Sequence, residues 1–191
     1  GKSNTINLAS EEMSITGQQA TGVNVSGEAN TVTLTGNMVV DKDQTSPLAA
    51  DNFYKASTGI NVNGSGNTVV LDGHLQVVAD TEVAGQGYAN SPGSQENIQG
   101  LVVTGDNNRV DLLGGVTLTG ESDQIADTAA GDALANQRKD AHTTSLIKVD
   151  GNSKVYVSGN SKVEGEFGTG IAPLFSLSGS AYLELTEGAT F

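Results

Sequence analysis

The sequence predicts an all-β protein, a parallel β-helix in which about six coils of three short strands stack along one axis. A motif of about 15 residues recurs along the chain, apolar and polar residues alternate within each copy, and glycine marks the boundaries between the alternating segments. The 191 residues include 25 Gly, only 4% are aromatic, and Cys and Trp are absent. A narrow aliphatic core that is shared by stacked coils accounts for this composition.

The repeat is clearest in three stretches that align without a gap: 22–36 (GVNVSGEANTVTLTG), 59–73 (GINVNGSGNTVVLDG) and 100–114 (GLVVTGDNNRVDLLG). Two further copies, 146–159 and 174–188, are one residue shorter before the second apolar pair, and the chain opens inside a copy. A central glycine marks each copy, at Gly1, Gly27, Gly64, Gly105, Gly151 and Gly179. These markers are 26 to 46 residues apart, so a minimal unit of about 26 to 28 residues carries insertions of different length.

Each copy predicts three strands, because residues that alternate between apolar and polar place one face of a strand in the core. Glycine lies at the corners between the strands, where left-handed or crowded backbone is needed. In the copy that begins at residue 22, the inward-facing pairs are Val23/Val25, Val32/Leu34 and Met38/Val40. The equivalent pairs of the next copy are Ile60/Val62, Val69/Leu71 and Leu75/Val77, and the opening copy contributes Ile6/Leu8 and Met13/Ile15.

One polar position recurs between the first and second strands of each coil. Asparagine occupies it in four successive copies, and Ser153 and Ala181 follow in the shortened ones. Asparagine tolerates left-handed backbone, and stacked side-chain amides hydrogen-bond along the axis. We therefore expect an internal structural ladder, and not a polar binding row, at Asn4, Asn30, Asn67 and Asn108.

Charge and composition exclude several classes of function. The net charge of −13 at pH 7 repels phosphate backbones and anionic lipid head groups, so we expect no nucleic-acid partner. The absence of Cys excludes disulfides, thiolate metal sites and cysteine nucleophiles. No apolar run approaches the roughly 18 residues of a membrane-spanning helix, so we expect no direct membrane insertion of this segment.

Four insertions interrupt the repeat after its third strand, at about 41–58, 79–99, 119–145 and 164–173. Because they leave from equivalent corners, we expect them to project from one edge of the rod, where a repeat scaffold usually carries binding residues. Each insertion begins with two acidic residues at positions i and i+2, which lie on one side of an extended segment. These pairs are Asp41/Asp43, Asp80/Glu82, Glu121/Asp123 and Glu164/Glu166.

Stacking of the four pairs predicts an acidic ridge, for which three interpretations stay open. The ridge is a solvated edge that discourages unwanted strand pairing, a weak Ca²⁺ site built from oxygen ligands, or an acid/base pair for glycoside cleavage. The Ca²⁺-binding repeat GGxGxDxUx is absent. We therefore expect no cofactor, and Ca²⁺ binding that is weak at most.

Three aromatic residues, Phe53, Tyr54 and Tyr88, lie in polar insertions of a chain that has few aromatics. They either stack on a sugar or anchor a partner, or they pack the insertions onto the β-helix. His74 replaces residues at a corner of the repeat, and His142 lies far from it in sequence. No nucleophile elbow, phosphate-binding loop or HExxH motif is present, so we predict no catalytic residue and no enzyme.

The pattern G-x-x-N-T-V-x-L-x-G, at 27–36 and 64–73, resembles the passenger repeats of self-associating, AIDA-type autotransporter adhesins, as does the closing stretch 179–190 (GSAYLELTEGAT). The resemblance implies a right-handed β-helix that is exported by a C-terminal outer-membrane barrel and displayed on a Gram-negative cell. We expect the chain to be a segment of a longer passenger, with the barrel domain outside it.

The expected function is adhesion, either to a host surface glycan or extracellular-matrix protein or to neighbouring passengers through the outward-facing polar rows. The alternatives are a polysaccharide-processing lyase or hydrolase, a protein similar to a phage tailspike, or a spacer without a ligand. An enzyme of this shape would need carboxylates clustered with Lys or Arg on one sheet face. In the sequence the basic residues look scattered, and Asp111 and Glu184 do not occupy adjacent coils.

Overall fold

The computed structural model describes residues 1–17, 20–42, 57–79, 98–121, 145–166, 173–186 and 188–190. These residues form β-strands and short connections, and they include no helix. The strands are β1 (Thr5–Thr16), β2 (Thr21–Glu28), β3 (Thr31–Lys42), β4 (Ser57–Ser65), β5 (Thr68–Asp72), β6 (Leu75–Ala79), β7 (Ile98–Thr104), β8 (Asp106–Leu112), β9 (Val116–Glu121), β10 (Ile147–Val149), β11 (Asn152–Val157), β12 (Ser161–Glu166), β13 (Phe175–Leu177), β14 (Tyr182–Leu185) and β15 (Ala189–Thr190).

Strands from successive repeats pair side by side and in parallel. One sheet has the order β13-β10-β7-β4-β2, and the other has the order β14-β11-β8-β5-β3-β6-β9-β12-β15, with β1 also paired to β3. The register joins equivalent residues, so that Val69 lies opposite both Val32 and Val110. The structure therefore confirms the predicted all-β class and the parallel pairing of equivalent strands.

The second and third segments of the first two repeats form one continuous strand, where the sequence predicted two. β1 and β3 each have 12 residues, and β3 pairs with β5 through its first half and with β6 through its second half. Gly36 lies at the junction in β3 with φ of 112°. Glycine adopts positive φ without steric strain, and the pairing of β3 with β1 shifts register at this point, between Ala9 and Glu12.

The core consists of aliphatic side chains. All buried hydrophobic residues in the described ranges are Val, Leu, Ile, Met or Ala. Ile60 and Val62, which the alternation placed inward, are fully buried. Ile6 and Leu8 also follow the inward pattern but are 55% and 50% exposed, because β1 pairs with β3 on one side only.

Glycines stack at the corner that follows the first strand of each repeat. The φ angle is 107° at Gly27, 133° at Gly64 and 100° at Gly105, and Gly27 lies opposite Gly64 in the parallel register. A Cβ atom on any of the three would collide with the carbonyl oxygen of the glycine in the preceding repeat. The close approach of backbones at this corner therefore requires glycine.

Candidate functional site

The four asparagines singled out in the sequence lie in one row across successive repeats. The Nδ2 atoms of Asn4, Asn30 and Asn67 each donate to the Oδ1 atom of the next asparagine, at 2.8, 2.9 and 3.0 Å. Asn108 Nδ2 donates to Ser153 Oγ at 3.2 Å, which continues the row by one repeat. Asn67 is fully buried. Since Asn30, Asn67 and Asn108 are buried and bond along the row, these amides belong to the scaffold, and Asn4 lies at the exposed end of the row.

The described acidic residues do not all align as the predicted ridge requires. Asp41 lies opposite Val78, and Glu164 lies opposite Thr119. The inward-facing residues of adjacent repeats lie opposite one another, as Val77 and Leu118 do. With the core residues aligned in this way, the acidic residues of adjacent repeats fall at different positions along their strands. Among the residues predicted for the ridge, the described register brings together one pair, Glu121 opposite Glu166.

Glu164 forms an ion pair with Lys162 on the same strand, with Oε2 2.7 Å from Nζ. Within the described ranges, no group of three or more His, Cys, Asp or Glu residues could hold a metal ion. The remaining residues predicted for binding or for the ridge lie outside the described residues: Phe53, Tyr54, Tyr88, Asp43, Asp80, Glu82 and Asp123.

His74 ties two repeats together at a corner. Its Nδ1 atom lies 2.9 Å from the carbonyl oxygen of Gly114, which only accepts, so Nδ1 carries the proton and donates. Its Nε2 atom lies within hydrogen-bond distance of Thr117 Oγ1, at 2.8 Å. Both ring nitrogens are thus engaged within the scaffold.

A second set of residues forms a cluster on the outer face of three adjacent strands. The register places Arg109, Lys154 and Tyr182 in one row across β8, β11 and β14. A neighbouring row on the same face holds an acid, a tyrosine and a second acid. We call these six residues the tyrosine patch: Arg109, Asp111, Lys154, Tyr156, Tyr182 and Glu184.

The alternation of inward and outward residues builds the tyrosine patch. Val110, Val155 and Leu183 lie opposite one another and point into the core, so the residues on either side of them point outward. Because neighbouring parallel strands lie about 4.8 Å apart, outward side chains on adjacent strands come into contact. The aliphatic core therefore sets which polar and aromatic residues meet on the surface.

Direct contacts join five of the six residues of the tyrosine patch into a chain of interactions. Arg109 binds Asp111 in a bidentate ion pair, with Nε to Oδ2 at 2.7 Å and Nη2 to Oδ1 at 2.9 Å. The Arg109 guanidinium carbon also lies 4.6 Å from the centre of the Tyr156 ring, a cation–π distance. The ring centres of Tyr156 and Tyr182 are 5.6 Å apart and tilted by 49°. Tyr182 Oη donates to Glu184 Oε2 at 2.6 Å.

The electrostatics of the patch follow from these contacts. The hydrogen bond to Asp111 and the negative charge of that carboxylate raise the pKa of Arg109, which stays charged. The hydrogen bond to Glu184, with the charge of that carboxylate, raises the pKa of Tyr182. Two basic and two acidic side chains balance, so the patch has no net charge on a chain whose net charge is −13. The patch is a pre-ordered, charge-balanced surface of aromatic and polar groups that can contact a partner.

The sequence interpretation missed this cluster although its residues were visible. The expectation that the basic residues are scattered is wrong for Arg109 and Lys154, which lie opposite each other in the register, with Arg109 bound to Asp111. The signal was available, because aligning the second strands of the last three copies puts position 109 beside 154 and 182. The contact between Tyr156 and Tyr182 is diagonal across two strands, so a row-by-row alignment does not display it.

No protein-family model matches the chain, and no solved structure matches it significantly. In the part of the chain that the structure describes, no helix has the length and apolar character needed to cross a membrane.

The substitution Glu184→Gln is expected to lower the pKa of Tyr182 toward the ordinary tyrosine value of about 10, because it removes the charged acceptor. A spectroscopic titration of the phenolate measures this shift, with Tyr182→Phe to assign the signal. In the wild type, the contact stabilises the folded state below the ordinary tyrosine pKa, and this gain is lost as the pH rises through the raised pKa. The control Glu164→Gln should leave the Tyr182 titration unchanged, and an unchanged titration in Glu184→Gln would contradict the assigned cause.

Proposed function

We propose that the chain is a section of a right-handed parallel β-helix of about six coils, with three short strands in each coil and insertions on one edge. The parallel pairing of equivalent strands supports this proposal, as do the glycine corners and the aliphatic core. In a solenoid each unit contacts only its neighbours. The described strands follow this rule, since each pairs with strands of adjacent repeats.

We infer further that this section is a rigid stalk of a bacterial surface adhesin and that the tyrosine patch is one of its contact surfaces. Tyr and Arg are the residue types that dominate binding energy at interfaces. Here a bidentate ion pair and a cation–π contact hold Arg109 and Tyr156 in place, so little side-chain freedom is lost when a partner binds. The partner is a host surface glycan, an extracellular-matrix protein or a neighbouring copy. The repeat resemblance supports display on a Gram-negative outer membrane through a barrel domain outside this chain.

The contacts of the patch carboxylates favour binding over catalysis. Both oxygens of Asp111 accept from the Arg109 guanidinium, and Glu184 accepts from the Tyr182 phenol. A glycoside-cleaving pair needs one carboxyl group free to donate a proton and a second free to attack or to activate water. The alternative function, a polysaccharide-processing enzyme or a protein similar to a phage tailspike, is tested by the same experiment as adhesion.

The double substitution Tyr156→Ala and Tyr182→Ala is expected to reduce adhesion by about thirtyfold or more, because the loss of aromatic residues that dominate an interface removes about 2 kcal/mol or more of binding energy. Beads coated with the purified chain are counted on host cells, on matrix proteins and on surfaces coated with the same chain. Release of reducing sugar from cell-surface polysaccharides is measured in the same samples. The proposal predicts retention of beads without sugar release.

Thr31→Ala with Thr33→Ala is the matched control, since both residues lie on β3 outside the patch. This variant should adhere as well as the wild type, and circular dichroism should show that both variants remain folded. Equal adhesion of the patch variant and the control would remove the patch from the proposal, and the binding residues would then be sought in the insertions. Catalytic release of sugar would contradict the adhesin proposal and support a polysaccharide-processing enzyme.

A further inference from the structure

The tyrosine patch holds two phenols in contact across neighbouring strands. The ring centres of Tyr156 and Tyr182 are 5.6 Å apart, and the parallel register of β11 and β14 fixes their backbones. Tyr182 is 45% exposed, so oxidants in solution can reach it. Because the chain has no Cys, a disulfide cannot join one repeat to the next. Tyrosine coupling is an oxidative cross-link that this pair can form.

We propose that Tyr156 and Tyr182 are a modification site, at which a haem peroxidase with hydrogen peroxide forms a dityrosine bond between two successive repeats. The proposal does not depend on adhesion. It rests on the ring contact, on the exposure of Tyr182 and on an acceptor for its proton, since Tyr182 Oη already donates to Glu184 Oε2 at 2.6 Å. The peroxidase is the one-electron oxidant, and hydrogen peroxide is its co-substrate.

Formation of one dityrosine bond consumes one molecule of hydrogen peroxide. Each phenol loses one electron and one proton, and Glu184 is placed to take the proton of Tyr182 as its electron leaves. The two radicals couple through ring carbons adjacent to the hydroxyl-bearing carbons, and the displaced ring hydrogens move to the oxygens to restore two phenols. Hydrogen peroxide takes up the two electrons and two protons, its O–O bond breaks, and two water molecules form.

The raised pKa of Tyr182 fits this route. The phenol stays protonated at neutral pH, so the usual oxidation through a free phenolate is disfavoured. A carboxylate within hydrogen-bond distance removes the need for prior ionisation, because the proton has an acceptor at the moment of electron loss. Glu184 is thus the proton acceptor for Tyr182 in the coupling, and its own substitution tests that role separately from the ring contact.

The experiment treats the full chain at low concentration with peroxidase and limiting hydrogen peroxide, with and without urea. Trypsin, which cuts after Lys154 and Lys162, separates Tyr156 and Tyr182 into peptides 155–162 and 163–191. We expect mass spectrometry to find these peptides joined with loss of two hydrogens, together with dityrosine fluorescence. Held in contact, the rings should couple at least about tenfold faster in the folded chain than in urea.

Tyr156→Phe and Tyr182→Phe should each abolish the joined peptide, while the matched control Tyr88→Phe should retain it. Glu184→Gln should slow coupling at neutral pH and leave the identity of the product unchanged. The proposal is overturned if the joined peptide is absent while other tyrosines are oxidised. It is also overturned if coupling is as fast in urea, or if Tyr182→Phe still yields the product.

Discussion

Gly64→Ala is expected to lower the free energy of unfolding by more than about 4 kcal/mol, enough to leave much of the chain unfolded. Gly64 has φ of 133°, a conformation that residues with a Cβ rarely adopt. The added Cβ would collide with the carbonyl oxygen of Gly27 in the preceding repeat. Because that oxygen belongs to a paired strand, relief requires movement of the whole stack. Urea unfolding followed by circular dichroism measures the loss.

Gly66→Ala is a matched control two residues away. Gly66 has φ of 66°, but a Cβ there would come no closer than 3.9 Å to the backbone of Ala29. Ala29 itself has φ of 54°, so this corner tolerates alanine. The control should cost about 1–2 kcal/mol, the usual penalty for a left-handed residue with a Cβ. If the two variants unfold at the same urea concentration, the collision with Gly27 does not govern stability.

Asn67→Leu is expected to lower the free energy of unfolding by about 3–5 kcal/mol, although leucine has a similar volume. Asn67 Oδ1 accepts from both the backbone N–H and the side-chain amide of Asn30, at 3.0 and 2.9 Å. Its Nδ2 atom donates to Gly27 O and to Asn108 Oδ1. The substitution removes the partner of the buried Asn30 N–H and the bond to the Gly27 carbonyl oxygen, each at a cost of about 1–3 kcal/mol.

Asn63→Leu provides the comparison. Asn63 lies near Asn67 in sequence, on strand β4, but its side chain is exposed. Its substitution should change stability by less than about 0.5 kcal/mol. Differential scanning calorimetry gives the melting temperatures of the two variants. A lower value for Asn67→Leu alone would show that stability depends on the buried amide row and not on asparagine at any position. Similar melting temperatures for both variants would show that the amide row contributes little.

Much of this scaffold could be predicted from the sequence, because the residues that stack on one another occupy equivalent positions of the repeat. The stacking of Gly27 on Gly64 depends on a glycine that recurs in every copy, and the amide row through Asn67 depends on an asparagine that recurs in four successive copies. A feature that must match from one repeat to the next leaves such a column in the alignment. The fold class and the parallel pairing were predictable for this reason.

The surface was harder to predict because its contacts do not repeat. Asp41 and Glu164 lie at similar places near the ends of β3 and β12, yet the register places Val78 and Thr119, not acidic residues, opposite them. Tyr182 meets Tyr156 diagonally and bonds Glu184 on its own strand, contacts that occur once in the described residues. A surface cluster of this kind depends on side-chain reach across strands, which an alternation of apolar and polar residues does not encode.

The glycine corner also has an evolutionary consequence. Gly27, Gly64, Gly105 and Gly151 succeed one another at the same corner although the intervening stretches of chain differ in length. The entropy of closing a flexible loop rises by only about 0.6 kcal/mol for each doubling of its length. Mutation can therefore lengthen, shorten or exchange the connecting segments at small thermodynamic penalty while the stack keeps its alignment. New connecting segments can thus be acquired without any change in the stacked strands themselves.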